Sequence, residues 1–287
     1  MRDVGVPIET MRVVLDGEPA EAREVLARVT ADREHQAART REALEAVLET
    51  VDAERRPGGA QVRVDGAALA AALRQVRAAA DSAVASALAA VLLDLDGGEL
   101  DVVATNRHWM ARRTLAADER VRWQGRAVLR LTAVDELVAC LDTTGEVDVA
   151  LADGALVLTV DGRPVPVTTS DRPYPSYRLV LDGLEPPAAS VLVERAALVE
   201  AVTAARRSVV PVRVDGHLEV AGGTLPAVVR GRTDEVRFRG ALLLRAVASC
   251  VGGRVLVRLG ETGRPAVLTS PDQPGFTALV MPTFEQA

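Results

Sequence analysis

"VRVDGAALAAAL", residues 62–73, decides how the rest of the chain is read. Val62 and Val64 alternate with Arg63 and Asp65, the period of a half-buried strand. At Asp65-Gly66 the alternation stops, and a helix with apolar residues on one face follows. The same design returns in "VLRLTAVDELVACL" (128–141), "VLVERAALVEAV" (191–202) and "EVRFRGALLLRAV" (235–247). Behind each copy come hairpin signals: "DLDGGELDVVA" (94–104), "ALADGALVLTV" (150–160), "VRVDGHLEVAG" (212–222) and "LVRLGETGRPAVLTS" (256–270). Asp-Gly and Gly-Gly between apolar runs mark tight turns, because glycine supplies positive φ. Four copies of strand–helix–strands, paired two and two, predict an α+β fold with domains over 59–185 and 186–287. The Pro-rich "LDGLEPPAAS" (181–190) reads as the connection between them.

Upstream lies something different. Residues 19–56 are polar, rich in Glu, Arg and Ala, and free of Gly and Pro after Pro19. Leu26, Thr30, Arg33, Ala37, Thr40, Leu44, Val47 and Val51 step by four and three, a heptad seam. At 1.5 Å per residue such a helix is on the order of 55 Å long. So polar a helix needs a partner, which predicts a homodimer through an N-terminal coiled coil. Pro57-Gly58-Gly59 ends the rod, placing a first domain at 1–58.

Composition removes several functions. The chain contains no lysine, which excludes lysine nucleophiles, Schiff bases and a phosphate loop ending in GK[ST]. A net charge of −6 argues against a non-specific polyanion binder. Residues 1–57 hold 9 arginines against 13 acidic residues, so the body is close to neutral. Cys140 and Cys250 are far apart in apolar helical contexts, as buried free thiols would be. No metal or cofactor motif is present, and no GxSxG, HExxH or GxGxxG pattern points to catalysis; the expectation is no cofactor and no enzyme. The carboxylates of "DLDGGELD" (94–101) fit a hairpin turn better than a calcium loop. No apolar run reaches ~18 residues and no secretory signal opens the chain, so a cytoplasmic protein without membrane contact is expected.

The strand end "ELDVVATNRHWMARRTL" (99–115) then becomes informative. Residues 62–287 resemble the second and third domains of the bacterial sliding clamp, the beta subunit of DNA polymerase III. "VVATNRHWMARR" stands at the clamp's Val-Ala-Thr-Asp-Gly-His-Arg-Leu-Ala strand end. "DRPYPSYRLVL" (171–181) and "FTALVMPTFEQA" (276–287) match its later signatures. Arg107 stands where clamps carry glycine, and Trp109 and Ala85 where they carry arginine. Residues 1–56, opening "MRDVGVPIETMRVVLDG", are similar to the dimerisation helix of MerR-type transcription regulators, whose winged helix this sequence does not contain.

The clamp resemblance implies a groove for a peptide motif, replication factor or small-molecule effector. Carried over, it comprises Leu88, Thr105, Arg107, His108, Trp109, Met110, Pro175, Tyr177, Val180, Leu242, Leu279, Val280, Met281, Pro282 and Thr283, with Trp109 a candidate anchor. Plain core packing is the competing reading for His108, Trp109 and Met110. Arg74, Arg77, Arg206 and Arg207 would face DNA, opposed by Asp135, Glu136 and Asp142, so DNA contact by this chain is expected to be weak. Clamp rings close with six such domains, whereas a dimer of this chain supplies four. Together the two resemblances imply a non-enzymatic MerR-type regulator, reading DNA through the missing winged helix, with a clamp-like effector domain. The alternative is a sliding-clamp paralogue acting in replication or binding clamp-directed peptides or inhibitors.

Overall fold

The first repeat folds as its pattern requires. β1 (Ala60–Asp65) leads into α1 (Gly66–Arg77), where the Asp65 carboxylate accepts a hydrogen bond from the Ala68 N–H at 2.7 Å. That bond satisfies one of the donors a helix start leaves open. β2 (Ala90–Asp96), β3 (Glu99–Thr105) and β4 (Trp109–Ala116) follow as a meander. Gly97 and Gly98 make the β2–β3 turn at φ 59° and 86°, so these carboxylates flank a hairpin. The structure, a computed structural model, describes residues 60–81, 86–116, 124–142, 144–152, 154–205, 208–261 and 263–284. The expected rod, with Leu26, Thr30, Ala37, Leu44, Val47 and Val51, lies outside these residues, as does the MerR-like segment. Arg206 and Arg207 lie outside them too.

The other copies repeat the plan. The second is β5 (Gly125–Arg130), α2 (Leu131–Leu141), β6 (Glu146–Ala152), β7 (Ala155–Val160) and β8 (Arg163–Val167). A short α3 (Tyr177–Asp182) opens the connection. The third copy is β9 (Ala189–Glu194), α4 (Arg195–Ala204), β10 (Val209–Asp215), β11 (Leu218–Val220) and β12 (Gly223–Leu225). The fourth is β13 (Ala227–Arg239), α5 (Gly240–Ser249), β14 (Arg254–Leu259), β15 (Ala266–Ser270) and β16 (Gln273–Val280).

Copies pair by exchanging their first strands. β1 joins β6-β7-β8, while β5 joins β2-β3-β4; likewise β9 joins β14-β15-β16 and β13 joins β10-β11-β12. Each copy therefore completes its neighbour's sheet, and α1 packs on α2 as α4 packs on α5. The two halves meet strand to strand. β16 pairs antiparallel with β4, setting Phe276 opposite Arg113, Ala278 opposite Ala111 and Val280 opposite Trp109. One twelve-stranded sheet thus runs through both halves, and Gly59–Ala287 is a single compact unit.

On the helical side, the Gln75 amide donates to the Ser249 carbonyl and to Gln273 Oε1, both at 2.7 Å, tying α1 to the end of α5 and to β16. Cys250 is buried, its thiol pushed up to about 12 by desolvation. Cys140, expected buried, is exposed instead, because α2 is amphipathic and its buried face is Ala133, Val134, Leu137 and Leu141. No helix among the described residues is long and apolar enough to cross a membrane.

Gly275 shows how close the seam is. A Cβ there would sit 2.6 Å from the Thr114 carbonyl oxygen of β4, a backbone atom that cannot swing away. Gly275→Val is expected to cost about 1–3 kcal/mol in urea denaturation. Gly145→Ala, whose Cβ meets nothing within 4 Å, is the control and should change stability far less.

Candidate functional site

The turn between β3 and β4 is held by its own side chains. Asn106 Oδ1 accepts from the N–H groups of His108 (3.1 Å) and Trp109 (3.0 Å), and the Thr105 hydroxyl donates to the Trp109 carbonyl at 2.9 Å. That net holds Arg107 at φ 73°, a left-handed conformation costing a residue with a Cβ about 1–2 kcal/mol. Arg107 therefore keeps the backbone shape that suits the glycine of the clamp pattern. Arg107 and His108 are exposed. Trp109 is 1% exposed and belongs to the main core, so it pins the seam.

On the opposite face of the seam sheet lies a second core of Leu92, Val103, Met110, Leu279 and Tyr177. Tyr177 arrives from α3 and brings Leu181 and Leu184 with it. Its hydroxyl lies 2.9 Å from Asp94 Oδ2 and 2.7 Å from Asp101 Oδ2. These two aspartates are buried and directly opposed across β2 and β3, where like charges destabilise a sheet. Arginines offset the repulsion. Arg178 lies 3.1 Å from Asp94 and 3.1 Å from Asp96, Arg126 is 3.1 Å from Asp94, and Arg112 is 2.8 Å from Asp101. The Arg112 Nε contact is Coulombic, since the N–H is not aimed along a hydrogen bond. Thr114 adds a 2.7 Å hydrogen bond to Asp101, and the Arg178 guanidinium sits 5.5 Å from the Tyr177 ring centroid. This polar lock clamps the connection onto the first half.

Beside the lock opens a groove of about 510 Å³. One wall is Leu179, Val180, Gly183, Leu184, Glu185 and Pro187 of the locked connection. The other is Arg258, Gly260, Gly263, Arg264, Pro265 and Val267 around the β14–β15 hairpin, with Met281 just past β16. Leu179, Val180 and Met281 are 72%, 49% and 39% exposed, an unusual display for large apolar side chains. Arg264 and Glu185 form an ion pair that joins the walls. Phe284, itself exposed, stands beside Gly263 at the rim.

Of the residues nominated from the sequence, Val180 and Met281 line this groove, and the Met281 N–H donates to the His108 carbonyl at 2.8 Å. Thr105, Leu88, Trp109, Met110, Tyr177, Leu279 and Val280 are buried and do not line the groove; Met110, Tyr177 and Leu279 form the second core, whereas Trp109 and Val280 belong to the main one. Pro175 is exposed on the approach to α3, while Pro282 and Thr283 are half-buried, Thr283 bonding back to the Arg237 carbonyl at 2.7 Å. Leu242 packs from α5 against the main core and does not line the groove. The sequence reading missed the β14–β15 wall, from Arg258 to Val267. It also passed over the lock, although Asp94 and Asp101 sit at strand positions where an apolar residue is ordinary.

The nominated DNA-facing arginines of α1 are paired. Arg74 lies 2.5 Å from Asp142 and Arg77 lies 2.6 Å from Asp135, so acids of the α2 segment neutralise the α1 face. The Asp135 hydrogen bond holds the Arg77 guanidinium above its usual value against the opposing effect of burial.

No family model matches the sequence, and no curated protein matches it significantly. Solved structures do match in fold. A sliding clamp of Pseudomonas aeruginosa with ligand superposes with TM-score 0.70 at 21% identity, covering 80% of this chain and 68% of the clamp. The DNA polymerase III beta subunit of Thermotoga maritima gives 0.71 at 17%, covering 80% and 67%. A Pseudomonas aeruginosa clamp bound to griselimycin gives 0.68 at 21%, covering 80% and 67%. The body therefore has the sliding-clamp fold.

The lock can be read by titration. Burial, then hydrogen bonding to and the charge of Asp101 and the nearby Asp94, raise the Tyr177 phenol well above its ordinary 10.0; burial raises that of Tyr174. Their contribution to stability is complete below pH 10 and is withdrawn as pH rises toward the folded values. With only two tyrosines and no lysine, tyrosinate absorbance is expected to appear together with unfolding, well above pH 10. Tyrosinate forming near pH 10 in the folded protein would contradict the lock. Tyr177→Phe should cost about 1–3 kcal/mol by leaving the two carboxylates without their shared donor.

Proposed function

We propose that this chain is a sliding-clamp paralogue that binds partners through the groove between α3 and the β14–β15 hairpin, and does not grip DNA. The observation that carries the reading is the exposed apolar set Leu179, Val180 and Met281 at the meeting of the two halves. Its floor is preformed, because the Tyr177 lock fixes one wall and strand pairing fixes the other. Preformed apolar clefts with a few charged groups at the rim suit short peptide segments. Arg258, beside an Arg264 already paired with Glu185, favours a segment that carries a carboxylate beside its apolar side chains. The clamp resemblance supplies the class of partner, short motifs of polymerases and other replication proteins, or ligands that compete with them.

Neutralised arginines on α1 support the second part of the proposal. Weak phosphate contacts lose affinity steeply with salt. The MerR-type regulator reading rests on residues 1–58 alone, outside the described structure, and no observation on the body favours it.

A short peptide with Leu and Phe side chains and one carboxylate is expected to bind the full chain with a Kd on the order of micromolar in calorimetry. Val180→Glu and Met281→Glu, both at exposed positions, should each weaken it at least ~10-fold, about 1.4 kcal/mol, without lowering the melting temperature. Equal affinity in both variants would sink the groove assignment. In a parallel assay, duplex DNA should show no binding at physiological salt. Retention there, lost in Arg74→Ala/Arg77→Ala, would return DNA to the account.

A further inference from the structure

Two hairpins end sheets of the body with an unpaired arm. β8 is one outer strand of the four-stranded sheet, with β1 the other, and β12 is one outer strand of the twelve-stranded sheet, with β5 the other. Among the described residues only β5 is flanked further, by Thr169 and Ser170. Free edges of this kind invite pairing with another strand, and folded proteins guard them. Here the turns fix which backbone groups face outward. Asp161 (φ 50°) and Gly162 (φ 74°) turn β7 into β8, with Val160 opposite Arg163. Ala221 (φ 53°) and Gly222 (φ 85°) turn β11 into β12, with Val220 opposite Gly223. Positive φ at both central residues is the type I′ hairpin turn, whose closing pair exchanges both of its hydrogen bonds.

Outward and inward positions alternate from that pair. In β8, residues 163, 165 and 167 bond inward to β7, so residues 164 and 166 present their backbone to the outside. Both are proline, which has no N–H. In β12, residues 223 and 225 bond inward and Thr224 faces outward; the next outward position is again proline, Pro226. Across these positions the Thr224 N–H is the single outward donor. A strand added to an edge needs donors and acceptors in alternation. The β8 edge offers only acceptors. At residues 163, 165 or 167 a proline would have removed a ladder bond, whereas at 164 and 166 it leaves the β7–β8 pairing intact.

We infer that Pro164, Pro166 and Pro226 guard the β8 and β12 edges against strand addition by a second copy, so the body terminates itself at these two strands and is not continued through them into a ring or filament. The inference rests on topology and turn geometry and stands apart from the groove reading. Full-length Pro164→Val/Pro166→Val restores two outward N–H groups without disturbing the inward bonds. The double variant is expected to at least double its light-scattering mass relative to wild type as concentration rises from about 1 to 100 µM. Hydrogen exchange should then find the new amides at 164 and 166 protected. Unchanged mass, with those amides exchanging freely, would overturn the role of the β8 prolines. Thr224→Pro removes the remaining donor and should leave the wild-type mass unaltered. A fall in mass would show that the β12 edge is in use and overturn self-termination. Should the double variant fail to fold, Pro164→Val alone carries the same two readouts.

Discussion

The pairing of β16 with β4 is the constraint on which the rest of the body depends. It brings Val280 against Trp109 and so buries the largest side chain of the core at the seam. It also sets Leu279 opposite Met110 on the other face, making the floor on which Tyr177 rests. Without that register Tyr177 has no apolar bed, the connection has no anchor, and the groove has no first wall. Gly275 permits the approach and Gln75 closes the helical side. Edge-to-edge joining thus builds one sheet, two cores and a cleft from a single run of backbone hydrogen bonds.

Charge is distributed with equal consequence. All cationic side chains that are not histidine are arginine, whose planar fork can hold more than one carboxylate. Arg178 does so across Asp94 and Asp96, with Asp101 at 3.8 Å. A buried pair of like charges is ordinarily a fault in a sheet; here it has become the attachment point for a connection. The same pairing habit on α1 and α2 leaves a face that is neutral where a nucleic-acid surface would be basic.

The four-copy architecture was legible in residues 62–73 and their repeats, because a period of two followed by an apolar helical face reports local structure directly. The hairpin turns were legible for the same reason, each marked by glycine. Trp109 was misleading as a candidate anchor. A tryptophan at a strand end looks like a wall until one knows that β16 covers it, and that pairing joins Trp109 to Val280, 171 positions away in numbering. The groove was half legible: Val180 and Met281 sit in segments with clamp-like signatures, whereas Arg258 to Val267 carry no local mark of a binding wall. The Asp94–Asp101 lock was hidden by its ordinary hairpin, since nothing near it in sequence announces Tyr177 and Arg178.

The joint between the halves is a run of strand pairing backed on its helical side by Gln75 and by one core that passes through both halves. The groove's walls stand on either side of that line, one fastened by the Tyr177 lock to the first half and the other belonging to the second. The cleft's width is therefore set by the angle at which β16 meets β4, so the seam register shapes the walls of the groove as well as its floor.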